Sequence, residues 1–335
     1  MSSISLGDMA STLRTMRFTT QVKQDLERYT SELSSGRKQN IAAAVSGDFT
    51  PLSSIERSLR TLASYDLSIR EADLFATSMQ TTLGTIASHL SDSATGLLTA
   101  AANGGETSIS VAAGDAQSRF RSILSALNTR VGDRALFSGA ATGATAFAPA
   151  DDILADLQAV VASATTVSDV ETLLDDWFMV SGGGFETTAY RGSTRHLSGF
   201  TLGDGESASL EVRGDDPALR QVLKGLALAS LLDQGLFDGD PDARAQLLRS
   251  AGETLMGAQA GLTDLQAQVG SVEARIEEAG AANASMKYSY SRAKSDIVSA
   301  DPEDTASLLQ QTETQLELIY TLTARLSRLT LADYL

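Results

Sequence analysis

Cysteine is absent from this chain. That excludes disulfides, thiolate metal sites and cysteine nucleophiles, and it leaves the compartment open. Aromatic residues are scarce at 5%, with Trp177 the single tryptophan, so a thick globular core is not the first expectation. Alanine, leucine, serine and threonine dominate, which suits thin helical packing. Positive charge is also short: 26 Lys and Arg stand against 42 Asp and Glu, a net charge of −16. Nucleic acid and anionic membrane both reward basic residues, so neither is expected as a partner. No apolar run reaches the roughly 18 residues that a membrane span needs. The first thirty residues carry no basic n-region, no continuous apolar stretch and no small-residue cleavage site. No Sec-type signal peptide is therefore visible, and export would need a dedicated machine.

Proline is rare, and its five positions are informative. Thr50-Pro51, Asp216-Pro217, Asp240-Pro241 and Asp301-Pro302 each place a capping residue before a proline. The cap satisfies a free amide of the first turn, and proline is pre-set for the first helical position, so helices are expected to start at all four. Pro149 precedes a fifth helical pattern, over 151–178. From Pro51 to Leu97 apolar residues alternate at three and four, a coiled-coil-like rod of roughly 70 Å. A shorter helix is expected over 108–131, and a second long one from Pro241, in which Asn283 is the polar position of the stripe. Short apolar pairs between glycines at 132–148 read as a β-hairpin, and 182–213 reads as strands turning at Gly182-Gly183-Gly184 and Asp204-Gly205.

The two ends of the chain are amphipathic. Leu6, Met9, Leu13, Met16, Val22, Leu26, Tyr29 and Leu33 recur mostly at helical steps before Gly36. Leu308, Leu316, Ile319, Leu322, Leu326 and Leu329 do the same before a final Tyr334-Leu335. Two isolated helices with such stripes leave much apolar surface wet, so these sixteen residues are expected to form an assembly interface with other copies. An amphipathic helix lying on a membrane is the rival reading, but the N-terminal stretch has few basic residues for it.

The expected fold is mainly α: an elongated long-helix coiled-coil bundle built from both halves of the sequence, with a β-hairpin and a small α+β insertion. The expected division is a terminal helix pair (1–36 with 302–335), a rod (37–148 with 216–301) and an outer piece (149–215).

Catalytic and metal chemistry find little support. His89 and His196 fall in different predicted units, with no third group beside either. Asp238, Asp240 and Asp242 begin like a calcium loop, but positions six and twelve are Ala243 and Arg249 where glycine and glutamate are required. Gly182-Gly183-Gly184 lacks the residues of a phosphate-binding loop. No enzyme activity, cofactor or metal is expected.

Several strings carry a resemblance. Glu32 to Arg37 (ELSSGR), Asn128 to Gly139 (NTRVGDRALFSG), Tyr190-Arg191-Gly192, Leu210 to Pro217 (LEVRGDDP) and the tail from Leu316 to Leu335 are together similar to the bacterial flagellin family. Leu136, Phe137, Ser138 and Gly139 form its helix-to-hairpin signature. Lys38 to Phe49 lacks the Asp-Asp-Ala-Ala-Gly run of filament subunits, so the resemblance is closest to the members at the hook–filament junction. It implies a secreted structural protein of the flagellum, exported unfolded by the flagellar type III apparatus and polymerising through its terminal helices. The implied partners are copies of itself, the hook-side junction protein, filament flagellin and an export chaperone. A filament subunit, or a secreted adhesin or enzyme with its activity in 149–215, are the alternatives.

Overall fold

The computed structural model describes residues 6–332, and the side chains of all of these but 6–8, 11 and 326–332. Helix dominates. The elements are α1 (Leu6–Ser35), α2 (Ile41–Ala44), α3 (Thr50–Asn103), α4 (Glu106–Leu127), β1 (Arg130–Val131), β2 (Arg134–Ala135), α5 (Ala150–Val161), α6 (Val167–Met179), β3 (Phe200–Gly203), β4 (Glu206–Ala208), α7 (Pro217–Asp233), α8 (Pro241–Val298) and α9 (Pro302–Ala332).

Helices start at all four Xaa-Pro steps, with variations in how the first amides are met. Asp240 Oδ1 accepts from the Ala243 amide at 3.0 Å, and Asp301 Oδ1 accepts from Glu303 at 2.8 Å and Asp304 at 3.2 Å. At α3 the cap moves upstream: Asp48, not Thr50, accepts from the Thr50 amide, at 2.9 Å. Asp216 makes no cap bond and instead takes the Arg213 amide at 2.8 Å. Pro149 is the N-cap of α5, and the pattern over 151–178 resolves into two helices.

The chain forms two compact units, one from Met1–Leu62 with Ser285–Leu335 and the other from Ala63–Ala284. In the first, α1 packs on α9. They run antiparallel: the residues that follow α1 bridge to those before α9, and Lys23 lies 5.8 Å from the Tyr320 ring farther along. The first part of α3 meets the last part of α8 through Glu56 and Lys294, 2.8 Å apart.

The second unit has one continuous apolar core. Its centre is α7, which buries residues around most of its circumference, including Val222, Leu226, Leu228 and Leu231; a helix apolar all round belongs inside. The Ile69–Ala101 part of α3, the Leu247–Ala279 part of α8, and α4, α5 and α6 surround it. The segment 149–215 enters the same core. Its aromatic residues Trp177, Phe178, Phe185 and Tyr190 cluster with Phe147, with ring centroids 4.5–6.3 Å apart. Trp177 donates to Asp156 at 2.9 Å, and β3 sets Phe200 5.6 Å from Phe75 of α3.

Three local expectations need correction. The hairpin lies at 130–135, with two-residue strands, and not across 132–148. The residues after it bond to 189–195 instead: Ser193 N–H to Ser138 O at 2.9 Å, Ala140 N–H to Arg195 O at 2.9 Å, and Arg191 N–H to Ala146 O at 2.8 Å. The apolar pairs Leu136-Phe137 and Ala146-Phe147 are adjacent residues that are all buried, so they lack the alternation of a two-sided strand. Within 182–213 only β3 and β4 are strands, antiparallel across Asp204-Gly205, while Phe185–Ala189 is a π-helical turn. Leu210-Glu211-Val212 does alternate buried, exposed, buried, yet forms no strand. Finally, the α8 stripe is interrupted after Asn283: Met286 and Tyr290 are exposed, and cover returns at Ala293, Ile297 and Val298.

Candidate assembly interface

The expected N-terminal stripe is not one stripe. The step from Met16 to Val22 is six residues, which helical geometry does not carry along one face. At roughly 100° per residue, Leu26, Tyr29 and Leu33 fall within about 40° of Val22, whereas Met9, Leu13 and Met16 lie roughly 120–180° away. The structure follows this geometry. Val22 is buried against α9 at 3% exposure, and Leu26 and Tyr29 are half-buried. Met9, Leu13 and Met16 are exposed, Met16 at 62%, and Leu33 at the end of the helix is exposed as well.

On α9, Ile319 is buried at 8% and Leu316 is half-buried, while Leu308 and Leu322 are exposed, Leu322 at 56%. Leu309 is half-buried too, and the other buried positions described on α9 are threonines. Thr305 and Thr312 are buried, and their hydroxyls donate back to Asp301 O at 2.6 Å and Leu308 O at 2.7 Å. The covered seam of the helix pair is therefore thin. Leu6, Leu326 and Leu329 lie in helix whose side chains fall outside those described, and Tyr334 and Leu335 lie outside the described residues.

Three further exposed apolar side chains, Phe18, Leu318 and Tyr320, belong to this surface and fall off the sequence stripes. Leu318 and Leu322 are one turn apart and make a ridge beside the covered face of α9. A search for one amphipathic stripe per helix discards them. A search for two apolar faces on each helix would have kept them.

Away from the ends, the motifs considered for chemistry have structural partners. Arg119 reaches the His89 ring at 3.4 Å and pairs with Asp115 at 2.7 Å. His196 Nδ1 lies 2.9 Å from Glu211 O. In the DGDPD stretch, Asp238 pairs with the buried Arg244 and Asp240 caps α8. Gly182 donates its amide to Glu186 at 2.9 Å; that bond, with Arg220 2.9 Å away, holds the Glu186 carboxyl below its ordinary range. Among the described residues no group of three His, Cys, Asp or Glu side chains is placed to hold a metal, and no helix is long and apolar enough to cross a membrane.

The strings that carried the resemblance converge on one corner. Leu136, Phe137 and Ser138 are buried. The Phe137 carbonyl accepts from the Tyr190 hydroxyl at 3.2 Å and from the Gly214 amide at 2.8 Å. Burial raises the Tyr190 pKa above its ordinary value, so the phenol stays a donor. Gly139 sits at φ +56°, where a Cβ would come within 2.5 Å of Arg195 O and 2.7 Å of Ser193 O. Asn128 closes α4 and accepts the Phe147 amide at 2.8 Å. Thus ALFSG, YRG and VRGDDP are three sides of one main-chain knot, and this hairpin signature is a packing device.

Residues 253–335, the greater part of α8 together with α9, match the family model described as the bacterial flagellin C-terminal helical region. The fold is mainly helical, and its two C-terminal helices are what resembles a flagellar structural protein. That match covers about a quarter of the chain, and it is with bacterial flagellins that this stretch is similar. Solved structures also align with the chain, among them these two. One is described as that of a flagellar hook-associated protein from Vibrio parahaemolyticus, at 16% identity and TM-score 0.46, covering 75% of this chain and 99% of the other. The second is Bacillus cereus FlgL, at 17% identity and TM-score 0.47, covering 71% and 100%. None of the curated proteins matches the sequence.

Proposed function

We propose that this chain is the adapter between hook and filament, the role of flagellar hook-associated protein 3, and that it polymerises through its terminal helices. The observation that supports this most is the thin seam of α1 on α9. Val22 and Ile319 are covered, while Met9, Leu13, Met16, Leu318 and Leu322 stand in water. Each such side chain contributes on the order of 1 kcal/mol when a neighbour covers it, so an array of copies stabilises the pair in a way one copy does not. In this reading 1–36 with 302–335 is the polymerising part, 37–148 with 216–301 the spacer, and 149–215 the outer piece. The role is structural and not catalytic. The partners are copies of the chain, the hook-side junction protein, filament flagellin and an export chaperone, and the site of action is outside the cell, after unfolded export. Lys38 to Phe49, which lacks the filament run, favours the junction over the filament shaft.

The test is genetic and morphological. A strain lacking this chain should build hooks, shed flagellin into the medium and carry no filaments; the full chain should restore them, and chains trimmed of 1–35 or 302–335 should not. Filaments of normal length in the deletion strain would overturn the junction role. Restoration by either trimmed chain would overturn assembly through the ends.

A further inference from the structure

We infer that a two-bond clasp between the chain's two connecting segments is a fixed stop, at which unravelling from either terminus halts. It divides the first unit into arms free to reorder and a base that stays closed.

The segment leaving α1 and the segment entering α9 are adjacent. Lys38 donates its amide to Val298 O at 2.9 Å, and Ala300 donates its amide to Gly36 O at 3.0 Å, an antiparallel bridge centred on Arg37 and Ser299. Gly36 makes the crossing possible: at φ +66° it turns the chain out of α1 while its own amide still bonds Glu32 O at 2.8 Å. The clasp is also covered. Val298 and Ala300 are each 7% exposed, and the Glu32 side chain folds over to accept the Gln39 amide at 2.8 Å. Ser295 and Ser299 share a further hydroxyl contact of 2.9 Å.

Among the described residues on the terminal side, Val22, Ile319 and two threonines are buried and Leu26, Tyr29, Leu309 and Leu316 are half-buried, and helix ends with few fully covered neighbours open cheaply. Fraying can run inward along α1 and α9 at small cost per residue. At the clasp the next step breaks two hydrogen bonds between distant segments together and exposes Val298, Ala300 and Glu32 at once. A pair of bonds that must break as a unit, under buried side chains, opens far more rarely than single helical turns. The clasp joins segments about 260 residues apart in sequence, beside the Glu56–Lys294 contact between α3 and α8. Its effect is to keep the start points of both arms in register whatever the arms themselves are doing. This follows from the local bonding and not from the assembly role, so failure of the assembly test leaves it standing.

The test is hydrogen exchange on the full-length chain in solution, with limited trypsin digestion alongside. The amides of Lys38 and Ala300 should exchange about tenfold or more slowly than those of residues 12–20 and 318–325. Trypsin should cut after Arg14, Arg17 and Arg325 well before Arg37. Ala300→Pro deletes one donor; Lys38 exchange should then rise about tenfold and the Arg37–Lys38 bond should become a cutting site. Lys38→Ala keeps the amide and should preserve exchange at Ala300. The inference is overturned if wild-type Lys38 and Ala300 exchange as fast as the arms, or if Ala300→Pro leaves Lys38 as slow as before.

Discussion

Gly139 shows what single residues do in this chain. Its φ of +56° and the two carbonyl oxygens that a Cβ would strike make it the one residue type the corner accepts. Gly139→Ala should cost roughly 1–3 kcal/mol, from backbone strain and the displaced carbonyls. Gly143, four residues on, has open space around it and no left-handed φ, so Gly143→Ala should be close to neutral. Urea titrations of both variants check this, and equal midpoints would show that the corner yields. The corner was only half legible in advance. LFSG reads as a signature from its composition, but its partners Tyr190 and Gly214 are 53 and 77 residues beyond Phe137 and no local rule links them. His89, His196 and Asp238 show the reverse case, in which residue types suggestive of chemistry prove to be held by neighbouring guanidinium and main-chain groups.

Among the elements, helix starts were the most legible and covered faces the least. A capping aspartate before proline acts within one turn, and helices begin at all four such steps. The terminal stripes depended on rotation around the helix, where a six-residue step moves Met9, Leu13 and Met16 to the far side of α1. This sets a clear contrast on α9. Ile319→Asp puts a charge in the covered seam and should lower the helix content of the monomer, read by circular dichroism. Leu322→Asp, on the exposed ridge three residues away, should leave the monomer spectrum unchanged and abolish incorporation into polymer. If Leu322→Asp assembled normally, that ridge would lie outside the interface. Strand expectations failed where adjacent residues were buried together, since β-alternation cannot describe a segment enclosed on both sides.

At the scale of the molecule, the two units differ in what holds them. The second has a continuous core with Trp177 inside it; the first has a handful of covered apolar residues, among them Val22, Leu52, Val298 and Ile319. Two-state melting is therefore not expected. On adding denaturant, far-ultraviolet ellipticity should fall before Trp177 fluorescence changes, and coincident curves would show one cooperative unit. Acid should also destabilise the chain. Hydrogen bonding holds Asp48, Glu56, Asp169 and Glu186 below their ordinary carboxylate range, so their contribution is present above the unfolded pKa and is lost as pH falls through about 4 and below. Asp216, pushed up by burial, acts with the opposite sign, favouring the fold most at low pH, and is one group against four. A denaturation midpoint that held steady or rose on acidification would contradict this balance. Helix positions, the stop at Gly36, the acidic surface and the two amphipathic ends could all be read from residue order, because capping, propensity and charge act over a few residues. Which apolar side chains are covered, how three distant strings close one corner, and how Gly36 comes to lie against Ala300 depend on contacts between segments tens to hundreds of residues apart. Those contacts exist only once the chain has folded, and they separate the thin seam between the ends from the filled core of the second unit.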